Sequence, residues 1–323
     1  MSLFRRARDR LLDASVALSF DRTGYRRHAR GFDAADLQVD LGGQVALVTG
    51  ANSGLGFAAA VGLARLGARV WMLCRDRARG LAALDALRAA TGRADAVLEV
   101  VDVSSVRSVR VFAARFDAPR VDVLVHNAGV LPAQRTMSAE GLEVTWATHV
   151  GGPFVLTQLL RERLTARGEK LGPSRVVFVS SGGMYLQKLA FDELDDAASA
   201  QFDGVRAYAR TKRAQVVLSE LLAQRFAPGR VDVNAMHPGW ADTPAVRSSI
   251  PRFHAVTRAI LRSAEEGADT IVWLAAAKKL RGVSGRFYFD REPRDPHGVP
   301  WTREGPEARE RLWQWCEGLL SAD

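Results

Sequence analysis

The chain has little cysteine, little lysine and no long apolar run, and each shortage narrows what it can be. Cys74 and Cys316 are its two cysteines. They lie far apart and fit no C-x-x-C or zinc spacing, which excludes a disulfide framework and indicates a reducing compartment. No stretch approaches the ~20 consecutive apolar residues that span a bilayer. The early apolar stretch is broken by Asp13 and no small-residue cleavage site follows it. A secretory signal is therefore not expected, and the expected location is cytoplasmic.

Lysine occurs at five positions, Lys170, Lys188, Lys212, Lys278 and Lys279, although the net charge is +9. The excess is carried by arginine and is local, since residues 1–30 hold eight arginines against three aspartates. Without a basic stripe interleaved with aromatics, or a nucleic-acid motif, this charge does not make nucleic acid a partner. Along residues 3–19, Leu3, Phe4, Ala7, Leu11, Ala14 and Leu18 share one helical face, with Arg5, Arg6, Arg10 and Asp13 opposite. Such a helix either packs on the domain or brings residues 1–20 to a membrane surface. Val16 and Phe20 blur the apolar face and favour packing.

What is present is ordinary globular composition, 47% hydrophobic and 25% charged, with ample length for one large domain. The organising stretch is Thr49-Gly50-Ala51-Asn52-Ser53-Gly54-Leu55-Gly56. It follows the apolar run Val45–Val48 and opens into the periodic segment Phe57–Leu66. Strand, glycine-rich turn and helix start in that order make an anion site: glycines allow close approach, and the helix N–H groups face the charge of a pyrophosphate.

Further buried strands are expected at Arg69–Cys74, Ala96–Val101, Val121–Val125, Arg175–Val179, Arg230–Met236 and Gly285–Phe289. They alternate with helices at Leu81–Ala90, Leu142–Leu164 and Val205–Phe226. Gly151-Gly152-Pro153 must disturb the second of these. The pattern predicts an α/β fold, a Rossmann-type doubly wound parallel seven-stranded sheet with helices on both faces. We expect a helical extension over 1–40, one domain over 41–295, and a tail over 296–323 whose Trp301, Trp313 and Trp315 pack back on it.

Arg75 directly follows the second strand. An acidic residue there would bind ribose hydroxyls and favour NAD(H), whereas arginine suits the 2′-phosphate of NADP(H). Asp102, with Val103 after it, ends the third strand and either meets an adenine amine or caps the next helix with Ser104 and Ser105. Tyr208 and Lys212 stand at i and i+4, hence on one helix face, and Lys212 is expected to lower the Tyr208 pKa. Ser181 ends a strand and is placed to donate to a reacting oxygen. His126, His149 and His237 fall on the same side of the sheet, but no pair has ligand spacing, so no metal is expected.

Taken together, the G-x-x-x-G-x-G turn, Asn127-Ala128-Gly129, Ser181, Tyr208-x-x-x-Lys212 and Pro238-Gly239 through Thr243 resemble the short-chain dehydrogenase/reductase family over about Gln44–Asp290. Val179–Met184, Met236–Pro244 and Gly267–Thr270 are similar to its member-twelve type, near the retinol-dehydrogenase-like branch.

The resemblance implies Tyr208 as general acid/base, Lys212 on the nicotinamide ribose, and Ser181 on the substrate oxygen. Gly50, Asn52, Ser53, Gly54, Leu55, Gly56, Arg75, Asp102, Val103, Asn127, Ala128, Gly129, Pro238, Gly239 and Thr243 would line the cofactor. It implies a lipophilic small-molecule carbonyl or alcohol as substrate and a homodimer or homotetramer through the helix carrying Val217, Leu218, Leu221 and Leu222. One departure stands out: His149 replaces the family's usual asparagine, which holds a water in a proton relay. Histidine can also bind water. A catalytically weak NADP(H) sensor or scaffold is the alternative reading.

Overall fold

The computed structural model describes residues 12, 16–166, 172–194 and 202–321. Most of the helix expected over 3–19 lies outside them. Within it, Val16–Phe20 is helical (α1), and Arg22–Ala29 follows as α2, capped by the Asp21 carboxylate, which accepts from Gly24 N. After a 3₁₀ turn the chain enters β1, Val45–Thr49, whose five residues are all buried. α3 (Gly54–Arg65), β2 (Arg69–Cys74), α4 (Arg77–Thr91), β3 (Val97–Val100), α5 (Val106–Arg115) and β4 (Val123–His126) complete the first half.

The second half begins with α6 (Val144–Trp146), a π-helical turn over Ala147–Gly151, α7 (Gly152–Leu159) and α8 (Arg161–Thr165). β5 (Ser174–Val179), α9 (Gly204–Arg225), β6 (Val231–Met236), α10 (Pro244–Ser249), α11 (Pro251–Thr257) and α12 (Ala264–Ala276) follow. β7 (Phe287–Phe289), β8 (Glu292–Pro293) and α13 (Pro306–Ser321) end the described chain.

The strands form one sheet in the order β3-β2-β1-β4-β5-β6-β7-β8. β1 to β7 pair in parallel, as expected, and the two-residue β8 adds an antiparallel edge that the sequence pattern does not mark. Both faces are covered. One core gathers Leu47, Trp71, Phe112, Phe154, Phe178 and Leu218, and the other Val48, Met72, Leu63, Ile271 and Leu274. Chain order reverses between β1 and β4, so a crevice opens at the carboxyl ends of those two strands, where such sheets bind ligands.

The disturbance expected at Gly151-Gly152-Pro153 takes a specific form. Gly152 N donates to Ala147 O, five residues back. Proline has no N–H and its ring would collide with the carbonyl four residues earlier, so the wider turn absorbs it without ending the helix.

Val217, Leu218, Leu221 and Leu222 on α9 are all buried. Part of the cover comes from within the chain: α13 packs on α9 and α7, burying Leu312, Trp313 and Cys316. Arg225 stacks on Trp313 at 3.8 Å, Arg309 pairs with Glu220 at 2.7 Å, and buried Arg213 is paired with Glu304 just before α13. Trp315 packs edge-on against Trp146 at 5.2 Å, whereas Trp301, expected to pack, is 72% exposed. Removing residues 306–323 should uncover this face and turn the protein into a self-associating or aggregating species in sedimentation velocity. An unchanged sedimentation coefficient distribution, beyond the lost mass, would show that α13 covers nothing that needs covering.

Candidate active site

The motifs meet at the carboxyl edge of the sheet because parallel strands in register deliver their ends to one side. Thr49 at the end of β1 receives N–H bonds from Asn127 (3.0 Å) and Ala128 (3.1 Å) on its hydroxyl. The Asn127 amide in turn donates to the carbonyls of Thr49 and Gly50, at 3.0 and 3.3 Å. Asn127 therefore stitches β4 to β1 through its amide nitrogen.

The glycine-rich turn fits a dinucleotide by its backbone. Gly50 has φ of 65°, and a Cβ on Gly56 would fall 2.3 Å from the Asn127 amide nitrogen and 2.4 Å from Gly50 O. At the head of α3, the Ser53 side chain makes no capping bond, which leaves the first-turn N–H groups for an anion. Thr243 packs 3.4 Å from where a Gly54 Cβ would stand, joining the Pro238–Thr243 loop to the turn. Asn52 and Ser53 are half-buried beside it, and Arg75 is exposed at the end of β2.

Two of the expected contacts have side chains turned into the protein, which leaves only their backbone at the site. Leu55 turns its side chain toward Gly267 of α12, and Val103 is buried in the core. The Asp102 carboxylate accepts from Ser104 N and Oγ at 2.9 and 2.7 Å. Of the two roles open to Asp102, helix capping belongs to Ser105, which accepts from Ser108 N.

Ser180 and Ser181 divide their work. Ser180 Oγ donates to the Lys212 carbonyl at 2.8 Å and is buried, tying α9 to β5. The Ser181 hydroxyl stands beside the Tyr208 phenol and opposes the rise of its pKa. The expectation that Lys212 lowers the Tyr208 pKa is not met in the chain by itself. Burial penalises the phenolate and pushes the pKa up, with the Ser181 hydroxyl acting in the opposite direction but not overcoming it. The ammonium of Lys212, 5.5 Å from the Tyr208 ring centroid, is itself pulled down to about 7 by burial. Lys212 Nζ donates to Val179 O at 2.8 Å and Gln215 Oε1 at 2.9 Å. Two of its three donors are thus engaged, and one remains for a ligand.

His149 does not keep a ring nitrogen for a relay water. Its Nε2 accepts from Val130 N at 3.0 Å, so Nδ1 carries the proton and donates to Thr211 Oγ1 at 2.8 Å. Burial, reinforced by the Lys212 charge, holds its pKa well below the usual histidine range. The ring is a neutral brace between the loop after Gly129 and α9. It also lies 5.3 Å from the Tyr208 ring, edge-on, a contact the sequence pattern does not reveal.

The other two histidines are held separately. His126 Nε2 pairs with Thr157 Oγ1 at 2.8 Å, and His237 Nδ1 accepts from Gly239 N at 3.1 Å. Among the described residues no group of three or more His, Cys, Asp or Glu is arranged to hold a metal. A cavity of about 340 Å³ opens at the β3 edge, lined by Arg77, Leu81, Leu98, Glu99 and Arg115 among others. It shares no residue with the Ser181–Tyr208 group.

Residues 44–252 match the family model for short chain dehydrogenase. Dehydrogenase/reductase SDR family member 12 of Bos taurus is 39% identical, over 93% of this chain and 93% of its own length. Retinol dehydrogenase 14 of Mus musculus is 37% identical over 86% of each. The structure of the Pseudomonas aeruginosa RhlG/NADP active-site complex is 25% identical, with a TM-score of 0.62 over 77% of this chain and 94% of that one. The chain belongs to the short-chain dehydrogenase family, a family of oxidoreductases. Among the described residues, no helix is long and apolar enough to cross a membrane.

Proposed function

We propose that the protein is an NADP(H)-dependent oxidoreductase that interconverts a carbonyl and an alcohol on a lipophilic small molecule. The observation that carries this reading is the convergence of Ser181, Tyr208 and Lys212 at the carboxyl edge of the sheet, with Lys212 keeping one donor to spare. A nicotinamide cofactor, when bound, supplies hydride exchange at carbon. Gly50, Gly54 and Gly56 with the head of α3 would hold its pyrophosphate, and Lys212 its nicotinamide ribose. The residues do the rest. Ser181 donates to the substrate oxygen, and Tyr208 gives that oxygen its proton in reduction or takes it in oxidation. Lys212, cationic when an anionic ligand lies against it, stabilises the phenolate that Tyr208 becomes.

The preference for NADP(H) rests on Arg75, exposed at the end of β2 where a 2′-phosphate would lie, and RhlG was solved with NADP. Arg75→Ala should weaken NADPH binding by about 1.5–3 kcal/mol, the worth of one charge-assisted hydrogen bond, and leave NADH binding unchanged. Calorimetric titration with both cofactors checks this, and equal affinity for the two in the unmodified protein sinks the assignment. A survey of carbonyl compounds followed by NADPH absorbance tests the activity itself. The sensor reading has one observation in its favour: His149 closes the place of the relay water with its own ring.

A further inference from the structure

The N-terminal segment is built into the loops that carry the site. The Phe20 ring lies against Gly182, the residue after Ser181; a Cβ there would stand 2.4 Å from Phe20 Cε2. The Phe20 carbonyl accepts from Trp240 N at 2.8 Å, and a Cβ on Gly239 would come within 2.6 Å of that same oxygen. Gly182 and Gly239 thus lack a side chain where Phe20 passes between them. The ring sits 4.4 Å from His237, 5.2 Å from Phe289, 6.2 Å from Tyr185 and 6.3 Å from Trp240, with Phe253 edge-on to Trp240 at 5.2 Å. His237 and Phe289 are buried, whereas Phe20, Tyr185, Trp240 and Phe253 are each half-exposed.

Its position is enforced from behind. Arg262, fully buried, donates to the carbonyls of Ser19 and Asp21, to Pro238 O, and to both oxygens of Asp290. His28 from α2 completes the cluster on Asp290 at 2.6 Å. One guanidinium therefore fixes the segment and the Pro238-Gly239 loop to each other.

We propose that Phe20 is a specificity-determining residue. Delivered by the N-terminal segment, it forms one wall of the substrate pocket, between the Ser181 loop and the Pro238–Thr243 loop. With Tyr185, Trp240 and Phe253 it selects carbonyls and alcohols that present a flat unsaturated or aromatic group beside the reacting carbon. Aromatic edges and faces prefer such groups to branched saturated ones of equal size. This rests on the oxidoreductase reading for which loops face substrate. Leu189 and Phe191, on the same stretch of chain as Tyr185, take no part in this wall, because both are buried in the core and Phe191 stacks on Trp146.

The test uses the full chain with Phe20→Leu, Phe20→Ala, Gly182→Ala, and the double variant Phe20→Ala/Gly182→Ala. Two readouts are taken over cinnamaldehyde, benzaldehyde, 2-naphthaldehyde, cyclohexanecarboxaldehyde and pivaldehyde: kcat/KM with NADPH, and calorimetric binding to the NADP⁺-loaded protein. NADPH affinity and the melting temperature report the fold. Phe20→Ala should lower the planar-to-branched preference by roughly tenfold, in KM more than in kcat, with Phe20→Leu intermediate. Gly182→Ala should lose planar binding, and the double variant should recover part of it. Binding shifted as expected with no turnover by any variant would remove the oxidoreductase reading and leave the wall in place. The proposal is overturned if the preference is the same at position 20 for Phe, Leu and Ala, or if none of the series binds.

Discussion

Tyr208→Phe should lower kcat by about 10³- to 10⁴-fold while leaving NADPH affinity within a factor of two. General acid–base contributions run from 10² to 10⁴, and the upper end applies because the exchanged proton sits on the reacting oxygen. The ring remains, so its edge contact with His149 and its distance to Lys212 persist. Lys212→Ala should differ in kind, reducing both turnover and cofactor affinity, because its remaining donor is the one left for the ribose. Stopped-flow turnover together with cofactor titration separates the two patterns. If Tyr208→Phe retained even a tenth of the unmodified rate on a substrate found by survey, Tyr208 would not be the proton donor. If no substrate were found while NADPH bound tightly, the sensor reading would take its place.

Much of this site was legible because it is carried by short motifs at strand ends, and parallel pairing brings strand ends together whatever the rest of the chain does. Thr49 closes β1, and Asn127, Ser181 and Pro238 come just after β4, β5 and β6, by that rule. The helix carrying Tyr208 and Lys212 was legible from spacing alone. What was not legible depends on contacts between distant segments. Whether His149 holds water or backbone is decided by Val130 and Thr211, far from it in sequence. The place of Phe20 depends on two glycines and on Arg262, more than 160 and 240 residues away. That α13 packs along α9 is not legible either, because nothing in the sequence of α9 points to it. α12 is a different case. Ser263 and Glu266 form a full capping box, and an S-x-x-E ahead of Ile271–Leu274 is a readable helix start. The pKa of Tyr208 was misjudged because spacing shows the positive neighbour and not the burial, and burial is the larger effect here.

The buried histidines should make the fold labile in mild acid. His126 and His237 are pushed down to about 3 by burial, and His149 is held well below its ordinary value by burial and Lys212. In the unfolded chain each titrates near 6.5. Because the folded values lie below the unfolded one, the unfolded chain takes up protons first as pH falls below 6.5, and the native state does not. Each ring then contributes about 1.4 kcal/mol of lost stability per pH unit, until its own folded value is reached. Three rings acting together remove roughly 5 kcal/mol between pH 6.5 and 5, at the lower end of the whole stability of a typical domain, about 5–15 kcal/mol. The carboxylates do not explain a loss in that window. Asp290, bonded to His28 and Arg262, is held below its ordinary value and gives up its contribution only in stronger acid. Urea midpoints measured from pH 7.5 to 5 should fall steeply below 6.5, and His126→Gln should flatten the slope by about a third. The hydrogen bond of His126 to Thr157 can be kept by the glutamine amide, so the variant changes the titration more than the packing. A flat stability profile between pH 7 and 5 would mean that these rings reach water or a counter-charge in the folded protein, and with it the tautomer assigned to His149 would lose its basis.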